Sequence, residues 1–292
     1  MSKACVFPHY FDQNHIPYYV CLYVKELSHY FDKIVVVTNK RTIENKLEIE
    51  SGVVAILEVD NEGYDLGMFY KGYQFLRNQN HETIACINDS NITFGNLKFL
   101  FDWANEQTVD FWGLMDANIR PSFSNHQNNY HIQSHFLVFN KAATMLLDRY
   151  FDQLEIAAIF SVKDPKAVKR RVINDWEIGV SQYLLQNNLT CKAYLNYSDL
   201  EKLGIENSNE KSEAVNISLD LYRQVIETGV PVLKKKIITS VKPKHIFTYQ
   251  NSWKRLIQKY SDSTIDVKRL IKELTEIRQR HLLGKISKLI RF

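Results

Sequence analysis

Short apolar runs alternate with longer stretches of helical periodicity through the first 116 residues. Residues 4–7 predict a buried strand, and residues 18–31 place Val20, Tyr23, Val24, Leu27 and Phe31 at the spacing of one helix face. The β-branched run 34–38 and the runs 52–59 and 83–87 predict further strands, the last ending on Asn88-Asp89-Ser90. Helices are predicted over 66–77 and 97–104, and a strand over 109–115 closes on Asp116. Units alternating in this order imply an α/β fold built on a doubly wound, largely parallel sheet.

The pattern changes after Asp116. Residues 117–130 are polar and aperiodic, and loops of this length inside a domain are commonly lids or binding loops. Residues 131–139 read as one strand, which would put His131, Gln133 and His135 on one face. A helix follows over 141–154. Asn174 and Glu177 have the spacing of a capping box at the start of a helix running to residue 186, and 190–195 is a further strand. Residues 264–292 place Ile265, Leu270, Ile271, Leu274, Ile277, Leu282, Ile286, Leu289 and Ile290 at mostly helical spacing among lysines and arginines. The expected division is a domain over 1–243 and a basic amphipathic helical tail over 244–292.

Charge sharpens that division. The net charge is +4, yet from Lys234 onward 16 basic residues face 4 acidic ones, leaving an acidic body with 21 basic and 29 acidic residues. A basic amphipathic helix suits an anionic membrane surface. Nucleic acid is a poorer partner, since it accounts for neither the acidic body nor the glycine-containing loop described below. The four cysteines, Cys5, Cys21, Cys86 and Cys191, form no CxxC pair and lie in apolar segments, which predicts buried thiols in a reducing compartment. The amino terminus lacks the features of a signal peptide, and no stretch reaches the ~18 apolar residues of a membrane span. The expectation is a cytoplasmic protein, peripheral on the inner face of the membrane.

The chemistry concentrates in Asn61-Glu62-Gly63-Tyr64-Asp65-Leu66-Gly67 and in Asn88-Asp89-Ser90. Gly63 and Gly67 permit close backbone approach, and Asp65 suits ribose hydroxyls. Asp89, at the carboxyl end of a strand, lies where open α/β sheets place ligands, and it could hold Mg²⁺ or Mn²⁺ against a diphosphate. His9 and Tyr10, after the first strand, could contact a nucleotide base. A general base for an acceptor hydroxyl is sought among Glu177, Asp116 and Asp175. His126, His131 and His135 invite a zinc reading, but no cysteine or carboxylate accompanies them at ligand spacing. His135 is retained as a donor-diphosphate contact.

Six segments then carry a family resemblance: Ala4-Cys5-Val6-Phe7-Pro8-His9-Tyr10, the 61–67 loop, Ile87-Asn88-Asp89-Ser90, Asp110-Phe111-Trp112-Gly113-Leu114, Gln133-Ser134-His135-Phe136-Leu137-Val138-Phe139 and Gly229-Val230-Pro231-Val232-Leu233-Lys234. In this order they resemble the rhamnan synthesis protein F family. The resemblance implies a GT-A-like glycosyltransferase using a nucleotide-sugar donor to extend a lipid-linked or growing glycan of capsule, O-antigen or rhamnan type. It implies donor contacts at Asn61, Gly63, Asp65, Asn88, Asp89 and Ser90, with Asn88-Asp89-Ser90 standing where GT-A enzymes carry an Asp-x-Asp metal motif. Only one carboxylate is present there. That departure leaves a second reading, a non-catalytic glycan- or partner-binding protein on a decayed transferase fold. Asp175-Trp176-Glu177 is similar in placement to the acidic motif that supplies the base in inverting relatives.

Overall fold

The computed structural model describes residues 2–10, 13–39, 42–49, 51–197, 216–240 and 252–290, without the side chains of residues 47 and 285–290. Strands β1 (Lys3–His9), β2 (Lys33–Asn39), β3 (Val54–Val59) and β4 (Thr83–Ile87) are parallel and ordered β3-β2-β1-β4. Further along come β5 (Asn91–Thr93), β6 (Phe111–Ala117), β7 (His131–Ile132), β8 (Phe136–Phe139), β9 (Cys191–Leu195) and β10 (Val232–Lys234). Strand β8 lies antiparallel between β4 and β6, β9 runs parallel to β6, and β7 pairs with the end of β6. A separate antiparallel pair joins β5 to β10. The main sheet is therefore mixed and largely parallel, the doubly wound α/β arrangement expected from sequence.

The helices are α1 (Tyr18–Leu27), α2 (Tyr64–Leu76), α3 (Lys98–Asn105), α4 (Lys141–Gln153), α5 (Ile156–Phe160), α6 (Pro165–Arg171), α7 (Gly179–Gln186), α8 (Ile217–Asp220), α9 (Tyr222–Glu227), α10 (Lys235–Thr239), α11 (Ser252–Tyr260) and α12 (Val267–Ile290). Alternation along β1 sends Cys5 and Phe7 into one apolar layer with α1, α3, α11 and α12, and Ala4 and Val6 into the other with α2, α4 and α7. Both faces of the sheet are covered, as the unbroken apolar runs of parallel strands require.

Three local expectations change. Residues 131–139 are not one strand: a turn at 133–135 separates β7 from β8, so strand alternation does not set His131, Gln133 and His135 on one face. His131 Nδ1 instead donates to the carbonyl of Asn129 at 2.7 Å. Asn174 caps nothing, because a π-helical turn (Val172–Ile178) runs on from α6 into α7. Its side-chain oxygen accepts from the Asn125 N–H at 3.1 Å, and its carbonyl meets His126 Nε2 at 2.9 Å, pinning the polar 117–130 loop to this turn. The helix start lies upstream, where Asp164 accepts from the N–H groups of Lys166 and Ala167 with Pro165 in the first position.

The third change concerns the tail. Leu270 and Leu274 of α12 are fully buried, in the same apolar layer as Trp253 and Ile257 of α11 and Phe7 of β1. Glu273 reaches the amino end of α1 and accepts from the N–H groups of Tyr18 at 2.6 Å and Tyr19 at 3.2 Å. A carboxylate there satisfies donors the helix leaves unpaired. The first half of the expected membrane-facing stripe therefore packs on the body, whereas Leu283, further along, is 65% exposed. The 243/244 boundary falls outside the described residues.

Candidate functional site

Four chain segments converge at the carboxyl edge of β1 and β4. His9 ends β1, Asp89 follows β4, Tyr19 lies in the first turn of α1, and Lys235 follows β10. Asp89 is 7% exposed, and its Oδ2 accepts from His9 Nδ1 at 2.9 Å, Tyr19 Oη at 2.9 Å and Lys235 Nζ at 2.5 Å. Burial opposes ionisation of Asp89, but the Lys235 and His9 charges and hydrogen bonds override it and hold the carboxyl well below the usual range.

Antiparallel register explains how a distant lysine arrives here. Lys234 pairs with Asn91, and the Lys235 N–H donates to the Ser90 carbonyl at 2.8 Å, so β10 is clamped along the residues that follow Asp89. Within that turn the Ser90 N–H donates to Asn88 Oδ1 at 3.0 Å, and Asn88 Nδ2 donates to Asp65 Oδ2 at 3.0 Å. Burial, with the nearby Asp89 charge adding to it, raises the Asp65 carboxyl to about 6. Lys234 is lowered to about 8 by burial, against the attraction of Glu177 and Asp65. These interactions place Lys234, Asp65 and Glu177 in one electrostatic neighbourhood.

The glycine loop holds Asp65 in place through its own packing. Gly63 has φ +69°, the left-handed conformation that favours glycine. At Gly67 a Cβ would lie 1.7 Å from the Glu62 carbonyl oxygen, so the turn cannot close over any other residue. The close approach at Gly67 is thus to the chain itself. Asn61 is exposed beside it, and Tyr10 is 54% exposed beyond β1.

The remaining sequence candidates are engaged elsewhere. Asp116 lies inside β6, 4% exposed, and its Oδ1 accepts from the Tyr197 N–H at 2.6 Å; burial raises its carboxyl, partly offset by that bond. Asp175 pairs with Arg171 Nε at 3.0 Å and accepts from Asn174 Nδ2 at 2.6 Å. His135 is buried, and burial pushes its imidazole well below its ordinary value. Its Nε2 donates to Gln133 Oε1 at 3.0 Å while Nδ1 accepts from Asn91 at 2.7 Å, so it supports the loop after β4 from behind. Tyr19, Lys234 and Lys235 were missed in the sequence. The lysines had a signal, a short apolar run leading into three consecutive lysines, but they read as part of the tail's charge.

A divalent cation on Asp89 does not fit this donor set. Mg²⁺ takes near-octahedral oxygen ligands. Here the single carboxylate is faced by an ammonium, an imidazole N–H and a phenol, and among the described residues no three His, Cys, Asp or Glu side chains gather to hold a metal.

A family model described as rhamnan synthesis protein F matches residues 34–287. The chain belongs to this family. Membership ties it to polysaccharide synthesis and extends over most of α12, in keeping with that helix's packing on the body. No curated relative matches the chain. Among solved structures, the chain is similar to a protein described as a glucose-1-phosphate thymidylyltransferase from Bacillus anthracis in complex with sucrose. Identity is 12%, coverage 73% of this chain and 98% of that one, and the TM-score 0.43. It is also similar to 4-diphosphocytidyl-2C-methyl-D-erythritol synthase from Anaerococcus prevotii, at 14% identity, 67% and 86% coverage and a TM-score of 0.42. Likenesses this distant carry no information about chemistry.

Proposed function

We propose that this member of the rhamnan synthesis protein F family is a glycosyltransferase, moving a sugar from a nucleotide-sugar donor to a hydroxyl of a lipid-linked or growing cell-envelope polysaccharide. The observation that carries the reading is the meeting of Asp65, Asn88 and Asp89 with Lys234 and Lys235 at the carboxyl edge of the parallel strands. Carboxylates suited to ribose hydroxyls and cations suited to a diphosphate stand side by side there, at the edge where open α/β sheets take ligands.

In this reading Asp65 and Asn88 bind the ribose, with Asn61 and Gly63 at its edge and Tyr10 near the base. The acceptor oxygen attacks the anomeric carbon while the bond from that carbon to the diphosphate oxygen breaks. The nucleoside diphosphate departs with the bonding electrons, and the hydroxyl proton passes to a base. Glu177 is the candidate of choice, because Asp116 and Asp175 are committed to Tyr197 and Arg171. No helix of the described residues is long and apolar enough to cross a membrane, and attachment to an anionic inner face is assigned to the basic end of α12 beyond Ile277.

The test is a thermal-shift panel of UDP-, dTDP-, GDP- and CMP-sugars. A ligand at 100 times its Kd adds about 2.7 kcal/mol of stability. One nucleotide class should raise the midpoint, and the shift should vanish in Asp65→Ala; no shift with any of them would remove the donor site.

A further inference from the structure

Resting on the donor site proposed above, we propose that Lys235, with Lys234 beside it, takes the place a divalent cation would occupy, so that the donor's diphosphate is bound without metal and Asp89 serves to position Lys235.

The geometry supports it from three directions. Lys235 Nζ lies 2.5 Å from Asp89 Oδ2 and 3.3 Å from Tyr19 Oη, and it sits 5.7 Å from the centre of the Tyr19 ring. An ammonium carries three N–H donors, so two directed at protein acceptors leave a third for a phosphate oxygen. Lys235 is also only partly buried, its side chain 29% exposed against 10% for Asp89, which puts the cation on the outer side of the pair. The backbone on which both lysines stand is fixed by the β5–β10 register and by the Lys235 N–H bond to Ser90.

The carboxylate's surroundings point the same way. A metal ion bound at Asp89 would stand close to the Lys235 ammonium, and two cations in a half-buried site repel strongly. The single carboxylate of Asn88-Asp89-Ser90 is then no sign of decay. One carboxylate is what a lysine needs for a partner, whereas a metal site commonly draws on more oxygen ligands. Lys234 precedes Lys235 on the same clamped backbone, paired with Asn91, and is the second cation; burial lowers its ammonium to about 8, and an incoming diphosphate would favour its charged form.

The test is calorimetric titration of the full-length protein with UDP, dTDP, GDP and CDP, first in excess EDTA and then in Mn²⁺. The nucleoside diphosphate that binds should do so in EDTA, with Kd changed less than about threefold by Mn²⁺. Lys235→Gln should weaken it about 10- to 100-fold. Because Lys235→Gln leaves the Asp89 carboxylate without its cation, the double variant Asp89→Asn/Lys235→Gln is measured beside it and should lose affinity to the same degree while remaining folded. Binding that disappears in EDTA and returns with Mn²⁺ overturns the lysine proposal and leaves the donor site standing. Failure of every diphosphate under both conditions overturns both.

Discussion

Lys235 and Asp89 are 146 positions apart in the chain, yet the ammonium of one lies 2.5 Å from the carboxylate of the other. Strand pairing between β5 and β10 brings them together, and the pair ties the carboxyl-terminal third of the chain to the edge of the sheet. Removing one partner of a buried ion pair typically costs about 3–5 kcal/mol, because the other charge is left uncompensated. Asp89→Asn should therefore lower stability at neutral pH as well as donor binding. The Asp89 carboxyl is held below its unfolded value of about 3.9. Its contribution is therefore present above that value and is lost as pH falls through the folded pKa. Urea unfolding of wild type and variant should differ at pH 7 and converge progressively below about pH 4; a difference independent of pH would disprove the pairing.

Asp65 has the opposite sign. With its folded value raised to about 6, the native state binds more protons than the unfolded state between about 4 and 6, so this group favours folding at low pH and opposes it as pH rises through 6. Asp65→Asn should be more stable than wild type by about 1–2 kcal/mol at pH 7.5 and close to it at pH 4. Donor affinity should follow the ionised form, rising between pH 5 and pH 7 in wild type and staying flat in the variant. A flat wild-type profile would take Asp65 out of the donor site.

Glu177→Gln, Asp116→Asn and Asp175→Asn separate a base from structural carboxylates. Loss of a base typically lowers the rate ~10²- to 10⁴-fold. Glu177→Gln should show that loss in kcat with little change in melting temperature. Asp116→Asn should mainly destabilise, since Asp116 is buried and holds the Tyr197 N–H. The assignment fails if Glu177→Gln keeps kcat within a few fold.

The tail divides at Ile277. Leu270 and Leu274 are buried and Glu273 caps α1, whose Tyr19 bonds Asp89, so deleting residues 263–292 should unfold the protein or weaken donor binding. Each buried leucine alone is worth about 2–5 kcal/mol. Deleting 282–292 should leave melting temperature and donor affinity within error but release the protein from vesicles containing anionic lipid. Equal vesicle binding by this shorter chain would remove the membrane assignment.

Strands β1, β2 and β4 were legible because buried parallel strands announce themselves as unbroken apolar runs bounded by polar residues. Asp89 was singled out by its place at a strand end and Asp65 by the glycines that flank it, and the structure joins the two segments through Asn88. The break between β7 and β8 was not, since Gln133 and His135 fit an alternating strand and only their bonds to Asp116 and Asn91 reveal a turn. The π-helical turn escaped for a related reason: Asn174 and Glu177 have capping spacing, while the loop that Asn174 binds lies about fifty residues earlier. Lys235 was invisible as a site residue because its role depends on a three-residue strand pairing across the molecule. Leu270 and Leu274 looked the same in sequence whether they faced lipid or the sheet.

The most direct measurement is of what leaves the donor. Wild-type protein, in EDTA, is incubated with the nucleotide sugar that stabilises it and with an oligosaccharide acceptor, and free nucleoside diphosphate and nucleoside monophosphate are quantified together. The account expects nucleoside diphosphate to appear in step with an acceptor one sugar longer, and to fall at least tenfold in Lys235→Gln. Nucleoside monophosphate with sugar 1-phosphate as the products, or an unchanged acceptor despite tight donor binding, would contradict it.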